Sequence, residues 1–197
     1  MILDLKLAAM IGKIREGRVG HPTAREVLRC ATYGAARALG RFGGVARRFE
    51  FRGEIDGITF VDDYAHLPTE VEAAIEAAGD GGWNRVVCVF QPHRYSRTAA
   101  LWQDFAHSFD GVDELVLTDI YSSGETPRPG VTGKLLVDAV LDANPWASVA
   151  WMPRLDDVAH WLTSRLRPGD LCITLGAGDL TAMPDQVIGR LATPGVV

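Results

Sequence analysis

Two stretches of the chain concentrate side chains able to hold a nucleotide or an anion. The first reads Asp62-Asp63-Tyr64-Ala65-His66-Leu67-Pro68. A carboxylate there accepts hydrogen bonds from ribose hydroxyls or helps hold a cation. A histidine beside the first free N–H groups of a helix favours a phosphate. The same spacing also fits a helix-capping cluster, in which Asp63 and His66 only satisfy backbone groups. The second stretch reads Phe90-Gln91-Pro92-His93-Arg94-Tyr95-Ser96-Arg97-Thr98. Arginine grips a carboxylate or phosphate with two parallel hydrogen bonds. Arg94 and Arg97 beside His93 therefore point to an anion site, against the alternative of two surface arginines.

Other segments carry weaker signals. Gly176-Ala177-Gly178-Asp179 is half of a dinucleotide fingerprint and reads better as a tight strand-to-helix turn. Tyr121-Ser122-Ser123-Gly124-Glu125 is either a further crevice wall or a plain loop. The sequence contains no Gly-x-x-x-x-Gly-Lys-Ser/Thr, so no autonomous phosphate loop for ATP is expected. It has no Cys-x-x-Cys, His-x-His or His-Glu-x-x-His spacing, and no metal ligands are assigned. His21, His107 and His160 read as structural or solvated. Trp83, Trp102, Trp146, Trp151 and Trp161 are scattered and read as core or edge packing.

These segments need elements to position them. Phe49–Ile55 and Ile58–Asp62 flank Asp56-Gly57, a strong two-residue hairpin signal. The helix after Pro68 places Val71, Ala74, Ile75 and Ala78 on one face. Val86–Phe90 is a continuous apolar run, as in a strand covered on both faces. A helix follows from about Thr98, with Leu101, Phe105 and Phe109 inward. Leu115–Thr118, Val149–Trp151 and Leu171–Leu175 read as strands. Helices are expected over Leu135–Leu141, along the stripe from Leu155 to Leu166, and through Val187, Ile188 and Leu191. The order predicts an α/β fold: a Rossmann-like, mainly parallel sheet with helices on both faces, starting with a β-hairpin. Such sheets bind ligands at the carboxyl ends of their strands, where both polar stretches fall. Residues 1–44 differ. Two apolar helical stripes, separated by Gly17, Gly20 and Pro22, predict a short helical pair as an N-terminal appendage. Gly40, Gly43 and Gly44 mark its junction with a domain over residues 45–197.

The net charge of −5 argues against a nucleic-acid partner, which normally meets a basic surplus. No apolar run reaches the roughly 20 residues that span a bilayer, and no signal-peptide pattern opens the chain. A cytoplasmic location is expected. Cys30, Cys88 and Cys172 are far apart and read as small buried hydrophobes.

Arg47-Arg48-Phe49-Glu50, the Asp-Asp-Tyr-Ala-His-x-Pro-Thr-Glu segment, the Phe-Gln-Pro-His-Arg-Tyr-Ser-Arg-Thr segment, Tyr-x-x-Gly-Glu and Gly-Ala-Gly-Asp occur here in the order found in Mur ligases. Residues 45–192 resemble the C-terminal domain of that family. The segment with His93, Arg94 and Arg97 is most similar to the branch that adds L-alanine to UDP-N-acetylmuramate, with the muropeptide-recycling branch as the near rival. A non-catalytic module binding a nucleotide or an amino acid is the alternative outside enzymes. Leu67 stands where close members often carry a second histidine, which puts in doubt a polar contact there. Leu28–Gly40 is weakly similar to a C-terminal segment of amidohydrolases, but that family's metal-binding histidines are absent and no site is carried over.

The resemblance implies a three-domain enzyme. One domain holds the UDP-sugar. A central domain holds ATP and Mg2+ through a phosphate loop. The third, matching this chain, closes over both and is inactive without them. Asp63 is then expected at the ATP ribose and His66 near the nucleotide phosphates. His93, Arg94 and Arg97 are expected to orient L-alanine, the arginines taking its carboxylate, with Tyr64 lining the pocket. None of these residues is expected to act as a nucleophile.

Overall fold

The computed structural model describes residues 47–193. The helical pair expected over residues 1–44, with His21 and Cys30, lies outside the described residues. Strand β1 (Glu50–Ile55) turns into β2 (Ile58–Asp63) as an antiparallel hairpin. Asp56 and Gly57 both have positive φ, 51° and 73°. Two successive left-handed residues match the twist of a tight hairpin, which is why Asp-Gly marks this turn. The chain continues through helix α1 (Pro68–Gly79), strand β3 (Arg85–Phe90), helix α2 (Tyr95–Leu101) and a 3-10 segment, Trp102–His107. Strand β4 (Glu114–Leu117), helix α3 (Lys134–Ala143), strand β5 (Val149–Trp151) and helix α4 (Leu155–Arg165) follow. Strand β6 (Asp170–Leu175), a short 3-10 turn (Asp179–Ala182) and helix α5 (Met183–Ala192) complete it.

The six-stranded sheet has the order β1-β2-β6-β3-β4-β5, and every pair except β1–β2 is parallel. The last strand in sequence thus lies between β2 and β3. Alternation along each strand feeds two cores. Cys88 and Phe90 join Leu115, Leu117, Ile173 and Leu175 under α1 and α3. Val87, Val89, Val116 and Cys172 face the other way, under α4 and α5. Burying both faces explains the unbroken apolar runs of the central strands. It also produces the expected α/β architecture with helices on both faces.

Three expectations change in detail. The helix expected from Thr98 begins at Tyr95 and ends at Leu101, and a 3-10 segment carries Phe105. That tighter winding brings Phe105 and Phe109 to 5.2 and 5.4 Å from Phe90, ring centre to ring centre. Strand β4 ends at Leu117, one residue short of Thr118. Trp146 is 93% exposed, so it is not a packing residue. Cys88 and Cys172 are fully buried free thiols, and burial pushes the Cys172 thiol up to about 12, which leaves it inert. Among the described residues no helix is long and apolar enough to cross a membrane.

The amino ends of the central strands are tied by one arginine. Arg85 donates to both oxygens of Asp170, Nε to Oδ1 at 3.0 Å and Nη2 to Oδ2 at 2.6 Å. Its Nη1 reaches Glu114 at 2.6 Å, and Arg165 holds the other oxygen of Glu114 at 3.0 Å. Strands β6, β3 and β4 are so clamped at the end opposite the polar loops. Asp170 is 1% exposed, so losing its partner leaves a buried uncompensated charge. Arg85→Ala is expected to cost about 3 kcal/mol, the low end for breaking such a pair because Arg85 keeps one edge in water. Urea denaturation measures this, and a cost under about 1 kcal/mol, the value of an exposed pair, would show the clamp to be superficial.

Candidate functional site

The site begins at the carboxyl end of β2, where Asp62 and Asp63 are both buried. Asp62 accepts hydrogen bonds from the hydroxyls of Thr174 (2.7 Å) and Thr181 (2.8 Å) and from Nε of Arg47 (3.2 Å). Arg47 also donates to the Gly176 carbonyl at 2.6 Å. Asp63 accepts the Phe49 N–H on one oxygen (2.6 Å) and the Ala65 N–H on the other (2.7 Å). Burial raises the Asp63 carboxyl from 3.8 to about 6, against the lowering by those two N–H groups and by Arg48. The neighbouring charge of Asp62 adds to the rise.

Held in this way, the β2–α1 loop presents a row of rings. Tyr64 lies 5.2 Å from His66, and His66 lies 5.8 Å from His93 of the β3–α2 loop. His93 stacks on Tyr121 of the loop after β4 at 5.6 Å. Arg47 and Arg48 sit over the Tyr64 ring at 4.9 and 5.7 Å. Three strand-end loops therefore meet at the carboxyl edge of the parallel sheet. His66 Nδ1 faces two acceptors, the Tyr64 carbonyl at 2.9 Å and Glu70 at 3.3 Å, so it carries the proton. His93 Nδ1 lies 3.3 Å from Arg97 Nη1. Arginine only donates, so Nδ1 accepts and Nε2 of a neutral His93 holds the hydrogen. Burial lowers the His93 pKa, and the charges of Arg97, His66 and Arg94 lower it further, while Glu125 opposes them.

Arg94 occupies a left-handed conformation, φ 70°, which is uncommon for a residue with a side chain. Its N–H donates to the Tyr121 carbonyl at 2.8 Å, and its own carbonyl accepts the N–H and hydroxyl of Thr98. The surroundings over-determine this backbone, a pattern common where strain serves a site. Among the described residues, no carboxylate lies within ion-pair distance of Arg94 or Arg97. Arg47, Arg85 and Arg165 all have one. Below them, buried Gln91 donates to Asp179 at 2.8 Å and accepts the Leu180 N–H at 3.3 Å. Gly178 has no room for a side chain: a Cβ there would meet Tyr121 Cγ at 2.6 Å. The Gly-Ala-Gly segment is thus a tight turn, and it backs the Tyr121 ring.

The structure brings His66, His93, Arg97 and Tyr64 together. Arg94 is exposed at the same loop, close enough to influence His93. Asp63 supports the loop from beneath, with each oxygen already engaged. Asp62, Arg47, Gln91, Tyr121 and Glu125 were not assigned from sequence. Tyr-x-x-Gly-Glu was the one signal that could have found two of them. Three or more His, Cys, Asp or Glu side chains able to hold a metal ion do not converge among the described residues. The groups present suit an anion rather than a cation.

A doubly wound domain with donors gathered at its strand ends belongs to the α/β class whose ligand crevice lies at the carboxyl ends of the strands. Residues 47–178 match the family model "Mur ligase, glutamate ligase domain", and the chain belongs to that family. It is 47% identical to the UDP-N-acetylmuramate–L-alanine ligase of Desulforamulus reducens over 79% of this chain and 34% of that protein. It is 49% identical to the same-named ligase of an Anaeromyxobacter species, over 78% of this chain and 33% of that one. The solved UDP-N-acetylmuramate–alanine ligase of Thermotoga maritima superimposes with a TM-score of 0.63 at 26% identity, covering 81% of this chain and 34% of that structure. A murein peptide ligase from Psychrobacter arcticus shares the fold, with a TM-score of 0.64 at 20% identity over 83% of this chain and 33% of its own. The chain spans about a third of the length of the curated relatives it matches.

The buried Asp63 carboxyl has a pH signature. A carboxyl whose pKa rises on folding binds its proton more tightly when folded. Its contribution therefore favours the folded chain at low pH, and declines as pH rises from 3.8 towards about 6. Carboxyl NMR is expected to show Asp63 titrating near 6. Asp63→Asn should remove this contribution from denaturation curves taken across that window. A midpoint at the ordinary 3.8 would place the group in water and contradict the arrangement.

Proposed function

We propose that this domain holds the incoming amino acid in an ATP-dependent ligase that joins L-alanine to UDP-N-acetylmuramate, a step of peptidoglycan precursor synthesis. The observation that supports this reading most is the pair Arg94 and Arg97, with no carboxylate at ion-pair distance among the described residues, beside the Nε2–H of a neutral His93. Such a set matches a carboxylate, which takes two guanidinium groups and a further donor. With its carboxylate held, alanine keeps its amine free to attack. Fixing that geometry lowers the barrier through proximity, by up to about 7–11 kcal/mol in well-oriented systems. The relatives named for this alanine-adding reaction, at 47% and 49% identity, favour that substrate.

On the nucleotide side we assign His66 and Asp63. His66 keeps Nε2 open on the β2–α1 loop, which supports giving it a phosphate. The Asp63 carboxylate uses one lone pair on each oxygen for the loop, and a ribose hydroxyl fits a remaining one. Tyr64 lines the wall between them. ATP with Mg2+, held mainly by the nucleotide-binding domain of the complete enzyme, supplies the activation of the muramic acid carboxylate. The residues of this chain bind, orient and exclude water. None serves as nucleophile. In this reading residues 45–197 form the ligase domain, residues 1–44 are an appendage, the chain works only beside the UDP-sugar and nucleotide domains, and the reaction is cytoplasmic.

The test joins this chain to the nucleotide- and UDP-sugar-binding domains of a curated relative. Phosphate release is expected to require ATP, UDP-N-acetylmuramate and L-alanine together. Arg94→Ala and Arg97→Ala should each raise the KM for L-alanine by roughly 10- to 100-fold, as for the loss of one charge-assisted hydrogen bond. If Arg94→Ala left the alanine dependence unchanged, the role given to Arg94 would be wrong.

A further inference from the structure

Helix α2 carries Arg97 and starts without a cap of its own. Its first flanking residue, Arg94, makes no side-chain capping bond. The free N–H of Ser96 is satisfied from a different loop: Glu125 Oε2 accepts it at 2.8 Å, and Oε1 accepts the Ser96 hydroxyl. Those two bonds hold the Glu125 carboxyl below the usual range. Glu125 belongs to the loop after β4, whose Tyr121 pairs with His93 and accepts the Arg94 N–H. The segment from His93 to Arg97 is thus fastened to that loop at both ends.

We propose that Glu125 is a positioning residue for the amino-acid carboxylate site: clasping Ser96, it fixes the start of α2 and so the spacing of Arg94 and Arg97. This rests on the carboxylate role proposed for those arginines. Each carboxylate oxygen of Glu125 is already engaged by Ser96, which gives this side chain a fastening role. The charge of Glu125 does not help. A carboxylate near Arg94 opposes the arrival of another one. Its benefit is geometric, and the two effects have opposite signs. Glutamine separates them. Its carbonyl oxygen can accept the Ser96 N–H, its amide can donate to the rotatable Ser96 hydroxyl, and it carries no charge.

Calorimetric titration of the 197-residue chain with L-alanine, on folded variants with unchanged melting temperature, tests this. Glu125→Ala is expected to weaken binding about tenfold, as for the loss of a hydrogen-bond pair to a charged group. Glu125→Gln is expected to bind at least as tightly as the parent chain. Unchanged binding in Glu125→Ala, or equal weakening in both variants, overturns the proposal. Should the parent chain bind no L-alanine, the amino-acid reading of the site fails instead. Hydrogen exchange at the Ser96 amide then decides the placement of α2. Acceleration of about tenfold or more in Glu125→Ala, reversed in Glu125→Gln, upholds the clasp. Unchanged exchange refutes it.

Discussion

The site depends on the burial of two adjacent carboxylates at one strand end. Buried charges are tolerated only when their lone pairs are met, and Asp62 and Asp63 are met by different parts of the chain. Asp62 collects hydroxyls from β6 and from the turn before α5, together with Arg47. Asp63 collects N–H groups from the segment leading into β1 and from the loop leading into α1. Four pieces of backbone are thereby fixed around β2. The loop from Tyr64 to His66 inherits its shape from this knot, and the row of rings begins there. The rise in the Asp63 pKa reflects the same arrangement: its surroundings are dry enough that even two backbone donors do not restore the ordinary value.

The two ends of the sheet divide the work. At the amino ends, Arg85 satisfies Asp170 fully and Glu114 in part, and Arg165 completes Glu114. That network is closed, with every charge answered inside the domain. At the carboxyl ends the balance is left open. Arg94 and Arg97 have neighbours that place them, Thr98, Tyr121, His93 and Ser96, but none among the described residues that neutralises them. A closed network leaves no donor to spare, whereas an open one leaves guanidinium donors available to an anion. The loops can carry this unbalanced charge because the strands beneath them are clamped at their far end.

Much of this was legible in the sequence where the controlling physics is local. Asp56-Gly57 specifies its hairpin through the φ values it tolerates. The apolar runs of β3 and β6 announce burial on both faces. The crevice rule for parallel sheets then puts His66, His93 and Arg97 at one edge, as found. What escaped depends on contacts between distant parts of the chain. Arg47 reaches Gly176, and Gln91 reaches Asp179, across most of the domain. Glu125 caps a helix that begins 30 residues before it, so the local pattern placed the helix start near Thr98 rather than Tyr95. Asp63 shows another limit. Its residue type suggested a ligand contact or a loop-shaping role, and the geometry shows the loop-shaping one directly. Trp146 shows the converse, since its apolar character gave no hint that nothing in the domain covers it.

The tautomers sharpen what the imidazoles can do. A histidine beside an amine substrate suggests a base, but a base needs a free ring nitrogen. Arg97 occupies Nδ1 of His93, which leaves Nε2 as a donor. A donor serves a carboxylate oxygen, and it cannot take a proton from an ammonium. Burial and the surrounding positive charges lower the His93 pKa, which favours the neutral ring and avoids a third positive charge beside Arg94 and Arg97. His66 has the opposite assignment: its Nδ1–H is spent on the Tyr64 carbonyl and Glu70, and its Nε2 is the nitrogen left over. Two histidines 5.8 Å apart are therefore not interchangeable. One is held as a donor beside Arg94 and Arg97. The other keeps Nε2 as its open nitrogen, on a ring held by the Tyr64 carbonyl and Glu70.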